Sequence, residues 1–175
     1  MNKFVRITGS IVVLIVLILS VGVGAARFND GPVGILAGGP FSSGELYSGA
    51  EPDWKFVREM STVEFQLLEP ARSRTTWIIE HEGKIYIPSG YMTTTWGKIW
   101  KQWPIEAEKD DRAILRVNGK LYQRKLVRIQ EGPMLKPILA RLGYKYMGTQ
   151  VEDVAEVPLE PVTSGYLWLF ELAPR

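Results

Sequence analysis

The chain has no cysteine and only one histidine, His81, in 175 residues. The first absence excludes disulfides, thiolate nucleophiles, iron–sulfur clusters and cysteine lipidation. The second excludes a multi-histidine metal site. Neither sign of charge dominates: 21 Lys and Arg against 19 Asp and Glu give a formal net charge of +2. Nothing in that balance points to a nucleic-acid partner or a polybasic membrane patch. The G-x-S-x-G elbow, the G-x-x-x-x-G-K-[ST] loop and the H-E-x-x-H helix are all missing. Also missing is the strand–helix alternation that a doubly wound nucleotide fold requires. No internal repeat or low-complexity block occurs.

What is present begins at the N-terminus. Residues 7–26 contain no charged side chain and follow Lys3 and Arg6. About twenty apolar residues in a helix cross the ~30 Å hydrocarbon layer of a bilayer. The run is longer than the ~7–15 residues of a usual signal core, so it reads as a retained anchor. Gly24-Ala25-Ala26 supplies the small residues that a cleaved signal sequence would need. Two cations before the run, against Arg27 after it, place the N-terminus in the cytoplasm and the C-terminal domain outside the cytoplasm at the cell membrane. The expected organisation is an anchor at 1–27, a Gly/Pro/Ser-rich tether at 28–52 and one domain at 53–175.

Within that domain most signals are those of strands. Asp53 caps a short helix to Glu59. Residues 63–67 alternate apolar and polar, as a half-buried strand does. Residues 75–79 and 84–88 read as a hairpin around Glu80-His81-Glu82-Gly83, with that tip exposed. Residues 113–117 and 120–129 flank Asn118-Gly119, a pair suited to a type I′ turn. Residues 166–172 are apolar on both faces, as in a buried final strand. Trp96, Ile99, Trp100 and Trp103 share one face of a helix, expected to close the core and to end at Pro104. A second helix from about Pro133 turns Leu135, Ile138, Leu139 and Leu142 inward, with Gly143 as its C-terminal cap. Strands joined by tight turns, with few helices, predict a mainly antiparallel sheet or small barrel.

Candidate chemistry is concentrated between Pro88 and Trp96. This stretch leaves a strand, passes Gly90 and delivers Thr93, Thr94 and Thr95 to a helix start. A helix N-terminus presents unpaired N–H groups and partial positive charge. Lys98 adds a full charge, and Arg72 and Arg74 lie on a neighbouring strand, where a guanidinium can grip a phosphate through two parallel bonds. The alternative is a Thr94 or Thr95 that only caps the helix beside a solvated Lys98. Glu106, Glu108, Asp110 and Asp111 read as a solvated acidic connection.

Several stretches carry a resemblance to a known superfamily. They are Asp53-Trp-Lys-Phe56, Thr76-Trp-Ile-Ile-Glu-His-Glu-Gly-Lys-Ile-Tyr-Ile-Pro-Ser89, Trp96-Gly-Lys-Ile-Trp100, Arg116-Val-Asn-Gly-Lys-Leu-Tyr-Gln-Arg124 and Trp168-Leu-Phe-Glu-Leu-Ala-Pro-Arg175. They resemble the split β-barrel flavin- and deazaflavin-binding proteins, which include pyridoxamine-phosphate-oxidase-like and deazaflavin-dependent nitroreductase or quinone-reductase relatives. The resemblance implies a split antiparallel β-barrel that holds FMN or a deazaflavin and pairs into a homodimer. It places the cofactor phosphate at Ser89, Thr93, Thr94, Thr95 and Lys98, and the ring near Tyr91 or Trp77; the strand pattern adds Arg74 as a cofactor-binding candidate. The serine-, glycine- and arginine/lysine-rich phosphate loop of the deazaflavin nitroreductases is not evident after Thr76. An extracytoplasmic domain would also be separated from NADPH and reduced deazaflavin.

These features support two readings. One is a membrane-anchored oxidoreductase of quinone-like or nitroaromatic acceptors that uses a flavin or deazaflavin. The other is a cofactor-free binding or assembly module, such as a small subunit of a membrane complex. Binding of haem or another hydrophobic ring is a third reading, with His81 as the sole histidine ligand.

Overall fold

The computed structural model describes residues 3–175. Helix α1 (Lys3–Ala26) forms because its long apolar run contains no proline. At 1.5 Å per residue its 24 residues extend about 36 Å. Arg6–Ala26 is long and apolar enough to cross a membrane, and among the described residues its long apolar side chains are exposed.

Residues 28–52 carry little regular structure, yet they are docked on the domain. The two-residue strand β1 (Glu45–Leu46) pairs in parallel with a long domain strand. Asp30 accepts from Arg116 at 2.9 Å, and Phe41 N–H donates to the Gln66 side chain at 2.6 Å.

The domain is a mainly antiparallel sheet curled into a half-barrel, with few helices. Its strands are β2 (Val63–Leu68), β3 (Ala71–Thr76), β4 (Ile79–His81), β5 (Lys84–Ser89), β6 (Arg112–Val117), β7 (Lys120–Ile129) and β8 (Trp168–Pro174). Their order is β3-β2-β6-β7-β8-β5-β4, with β1 on β7. The β6–β7 hairpin turns at Asn118 (φ 50°) and Gly119 (φ 73°), the positive angles of a type I′ turn.

Two hydrophobic cores flank β5 and β8, which explains why these strands are apolar on both faces. Ile85, Ile87, Phe170 and Leu172 point into the barrel core with Trp54, Phe65 and Leu115. Tyr86 and Leu169, the alternate positions, face a second core against helix α4 (Leu135–Met147). Leu135, Ile138, Leu139 and Leu142 fill that core as their spacing predicts. A short 3-10 helix (Trp54–Glu59) starts where expected, with the Asp53 carboxylate accepting from Lys55 N–H at 3.1 Å.

Four local expectations are corrected. Residues 75–79 are not one strand: β3 ends at Thr76 and β4 begins at Ile79. The backbone at Ile78 leaves the ladder because its N–H donates to the Tyr146 hydroxyl at 2.9 Å and its carbonyl accepts from Lys145 Nζ at 2.9 Å. Glu80 and His81 are not an exposed tip but buried strand residues. Arg58 and the Gly83 N–H (2.9 Å) both donate to the Glu80 carboxylate, and the turn shifts to Glu82-Gly83.

The tryptophan stripe splits between helices α2 (Thr95–Trp100) and α3 (Trp103–Lys109). Pro104 opens α3 rather than ending α2, since a proline in a first turn lacks only an N–H that would be unpaired there. Trp103 alone reaches the barrel core, edge-on to Phe65 at 4.9 Å between ring centroids. Trp96, Ile99 and Trp100 are exposed, because α2 packs through Gly97, where a Cβ would lie 1.6 Å from the Tyr91 carbonyl oxygen. Last, Gly143 lies inside α4, and Gly148 (φ 67°) is the left-handed cap. The final helix, α5 (Glu160–Thr163), is a single turn before β8.

Candidate functional site

An apolar-lined cavity of about 500 Å³ lies between the open end of the half-barrel and α4. That volume falls within the ~300–1,000 Å³ typical of small-molecule sites. Five separated stretches build it. The end of β3 contributes Thr75 and Thr76, followed by Trp77; the end of β5 contributes Pro88, followed by Gly90 and Tyr91. Helix α4 contributes Leu139, Leu142, Gly143 and Met147, and the segment before β8 contributes Pro161, Tyr166 and Leu167. Among the described residues Lys101, at the end of α2, is the only charged one in the lining.

The walls are therefore apolar and aromatic, with a few hydroxyls. Trp77 stacks flat on Tyr146, with centroids 4.4 Å apart and planes 7° from parallel, and stays 43% exposed. Tyr91 meets Tyr166 edge-on at 5.2 Å. Burial pushes the Lys101 ammonium below the usual lysine pKa. Among the described residues no carboxylate lines the cavity, so it suits neutral or anionic molecules.

Of the residues expected to hold a cofactor, Tyr91 lines this cavity, and so does Trp77. Ser89 is buried, and its hydroxyl donates to the Met92 sulfur at 3.4 Å. The Thr94 hydroxyl accepts from Gly97 N–H at 2.9 Å and donates to the Tyr91 carbonyl at 2.8 Å, which is the capping role. Thr93, Thr95 and Lys98 are exposed and lie outside the lining. Arg74 donates to Glu106 on α3 at 3.1 Å, and its other terminal nitrogen, Nη1, is buried without a partner. Glu106 and Glu108 are thus helix residues paired with Arg74 and Arg128, not a free acidic loop. The threonines and basic residues do not converge, so a flavin or deazaflavin phosphate finds only Lys101 as a cation in the cavity wall.

No local motif marked Lys101 or Tyr166 as a site residue, and helical spacing marked Leu139 and Leu142 as core positions alone. The density of aromatic residues, six Trp and seven Tyr, is the one sequence signal for Tyr166.

His81 faces a separate polar cleft with Arg58, Glu80, Arg141 and Lys145. Burial holds its pKa below the usual histidine value. Among the described residues no cluster of His, Asp and Glu is placed to hold a metal ion.

No protein-family model matches this chain, and no curated protein matches it. Among solved structures the chain is similar to the conserved hypothetical protein Rv2991 from Mycobacterium tuberculosis. The identity is 12% and the TM-score 0.48, over 69% of this chain and 76% of that one.

Proposed function

We propose that the protein is a membrane-anchored binding module whose cavity takes an apolar, ring-bearing molecule of the quinone type. The observation that carries this reading is the cavity wall itself: mostly aromatic and aliphatic side chains, with Lys101, the hydroxyls of threonines and tyrosines and the Trp77 indole as the hydrogen-bonding groups. A neutral ring with one or two carbonyl oxygens matches that wall, because buried polar atoms need partners and few are offered. An anchor in the lipid, where such molecules dissolve, fits the same chemistry.

A second reading is a flavin- or deazaflavin-dependent oxidoreductase acting on such an acceptor. Lys101 favours it, as the one cation in the wall that would meet a cofactor phosphate. The protein would then supply position and electrostatics, and the cofactor the electron transfer.

Both readings are tested on the full-length protein in lipid nanodiscs. Tryptophan fluorescence is followed while a short-chain naphthoquinone, FMN or a deazaflavin is added. Saturable quenching by the quinone alone supports the binding module, and saturable FMN or deazaflavin binding supports the oxidoreductase. If no probe saturates, both readings fail.

A further inference from the structure

Helix α2 presents an unusual surface. Trp96 is 79% exposed, Ile99 64% and Trp100 57%, at spacings that place them side by side. Exposed apolar side chains grouped in this way mark an interaction site. The helix does not display them by accident, because Gly97 is its buried contact and no bulkier residue fits there.

The charge flanking this patch in sequence has one sign. From Gly90 to Ile105 the chain contains Lys98 and Lys101 but no acidic residue. Tryptophan and lysine together suit the headgroup level of a bilayer, where the indole is half apolar and the ammonium meets lipid phosphates.

The fold also ties this region to the end of the membrane helix. Asn29 N–H donates to the Ala26 carbonyl at 3.1 Å, and Gly39 N–H donates to the Asn29 carbonyl at 3.1 Å. The next residue back, Gly38, is bridged to Ser73 on β3. From Ser73 the strand reaches Thr76 on the cavity wall in about 10 Å, at ~3.3 Å per residue. Arg74, between them, clamps α3, which follows α2 directly.

We propose that α2 is an interfacial docking element: Trp96, Ile99 and Trp100 insert among the lipids, and Lys98 and Lys101 face anionic headgroups. Tyr91 and Lys101, which bracket α2 in sequence, both line the cavity, so its rim faces the bilayer that supplies a lipophilic ligand. The inference rests on α1 crossing the membrane and deepens the proposed function by giving the ligand its route of entry.

The chain has no cysteine, so a single introduced cysteine takes a spin label uniquely. Labels go on full-length Ile99→Cys, Lys84→Cys and Val16→Cys in phosphatidylcholine nanodiscs with and without phosphatidylglycerol. Lys84 is exposed at the opposite end of β5 from the link to α2. Accessibility to oxygen, which concentrates in lipid, is compared with accessibility to a water-soluble nickel chelate. The Ile99 label is expected to favour oxygen, more strongly with phosphatidylglycerol, while the Lys84 label favours nickel. An Ile99 label open to nickel while the Val16 label is in lipid overturns α2 docking and leaves the anchor standing. Both labels open to nickel overturn the anchor as well. An Ile99 label shielded from both reagents, with label–label coupling between copies, overturns the inference in favour of a dimer contact. Quinone binding is read separately, so its failure is distinguishable from that of α2 docking.

Discussion

Gly38 and Ser73 exchange two backbone hydrogen bonds, Gly38 N–H to the Ser73 carbonyl at 3.0 Å and Ser73 N–H to the Gly38 carbonyl at 3.3 Å. This pair fastens the segment after α1 to the edge strand of the half-barrel. A Cβ on Gly38 would sit 1.8 Å from the Gly31 carbonyl oxygen, against rigid backbone. Gly38→Ala is therefore expected to destabilise the protein by at least about 1–3 kcal/mol, the range of overpacked sites. Thermal unfolding measures the loss, and amide exchange should rise selectively in residues 28–52.

The same segment should detach in acid. Asp30 accepts hydrogen bonds from the Ser43 hydroxyl, the Ser42 N–H and Arg116, and these hold its pKa well below the ordinary aspartate value of 3.8. A depressed carboxyl contributes stability that is full above its unfolded pKa and is lost as pH falls toward its folded value. Docking of 28–52 is expected to be constant above about pH 4.5 and to weaken progressively below the ordinary aspartate pKa. Asp30→Asn should remove that pH dependence, as read by amide exchange of the segment from pH 5 downward.

Tyr146 performs two tasks behind Trp77, which lines the cavity. Its ring supports Trp77, and its hydroxyl accepts from Ile78 N–H while lying 2.8 Å from the Ser61 carbonyl. Tyr146→Phe keeps the stack and strands a buried N–H, at a cost of about 1–3 kcal/mol. Trp77→Ala is expected to weaken quinone binding instead, by about 0.5–1.5 kcal/mol for the lost aromatic contact. Chemical denaturation and the fluorescence titration separate these effects.

The two glycines of α4 should respond in opposite directions. Gly143 lies in the helix interior with an added Cβ only in ordinary contact with Thr149, 3.6 Å away. Gly143→Ala is expected to stabilise the protein by about 0.5–1 kcal/mol, through lower chain entropy in the unfolded state. Gly148 adopts φ 67°, so Gly148→Ala should destabilise it by about 1 kcal/mol. Equal shifts in melting temperature would contradict the cap assignment.

The patterns that were legible in the sequence are those set by nearest neighbours. Asn118-Gly119 requires a turn, Leu135 to Leu142 repeats at helical spacing, and Asp53 caps the helical turn that begins at Trp54. The features that the sequence concealed depend on distant partners. Tyr146 and Lys145 take the backbone groups of Ile78 and divide an apparently continuous strand. Arg58 lets Glu80 be buried, and the close contact at Gly97 turns an apparently inward stripe outward. The cavity draws on five separated stretches, so Tyr91 and Trp77 were accessible to sequence reasoning as site residues and Leu139, Gly143 and Tyr166 were not.

The decisive measurement is the naphthoquinone titration of full-length protein in nanodiscs, run beside Gly143→Phe. Gly143 lines the cavity, so a phenyl ring there occupies the space the ligand needs. The wild type should show saturable quenching that Gly143→Phe abolishes, while circular dichroism shows the variant folded. A wild type that does not saturate, or a folded Gly143→Phe that binds with unchanged affinity, contradicts ligand binding in this cavity.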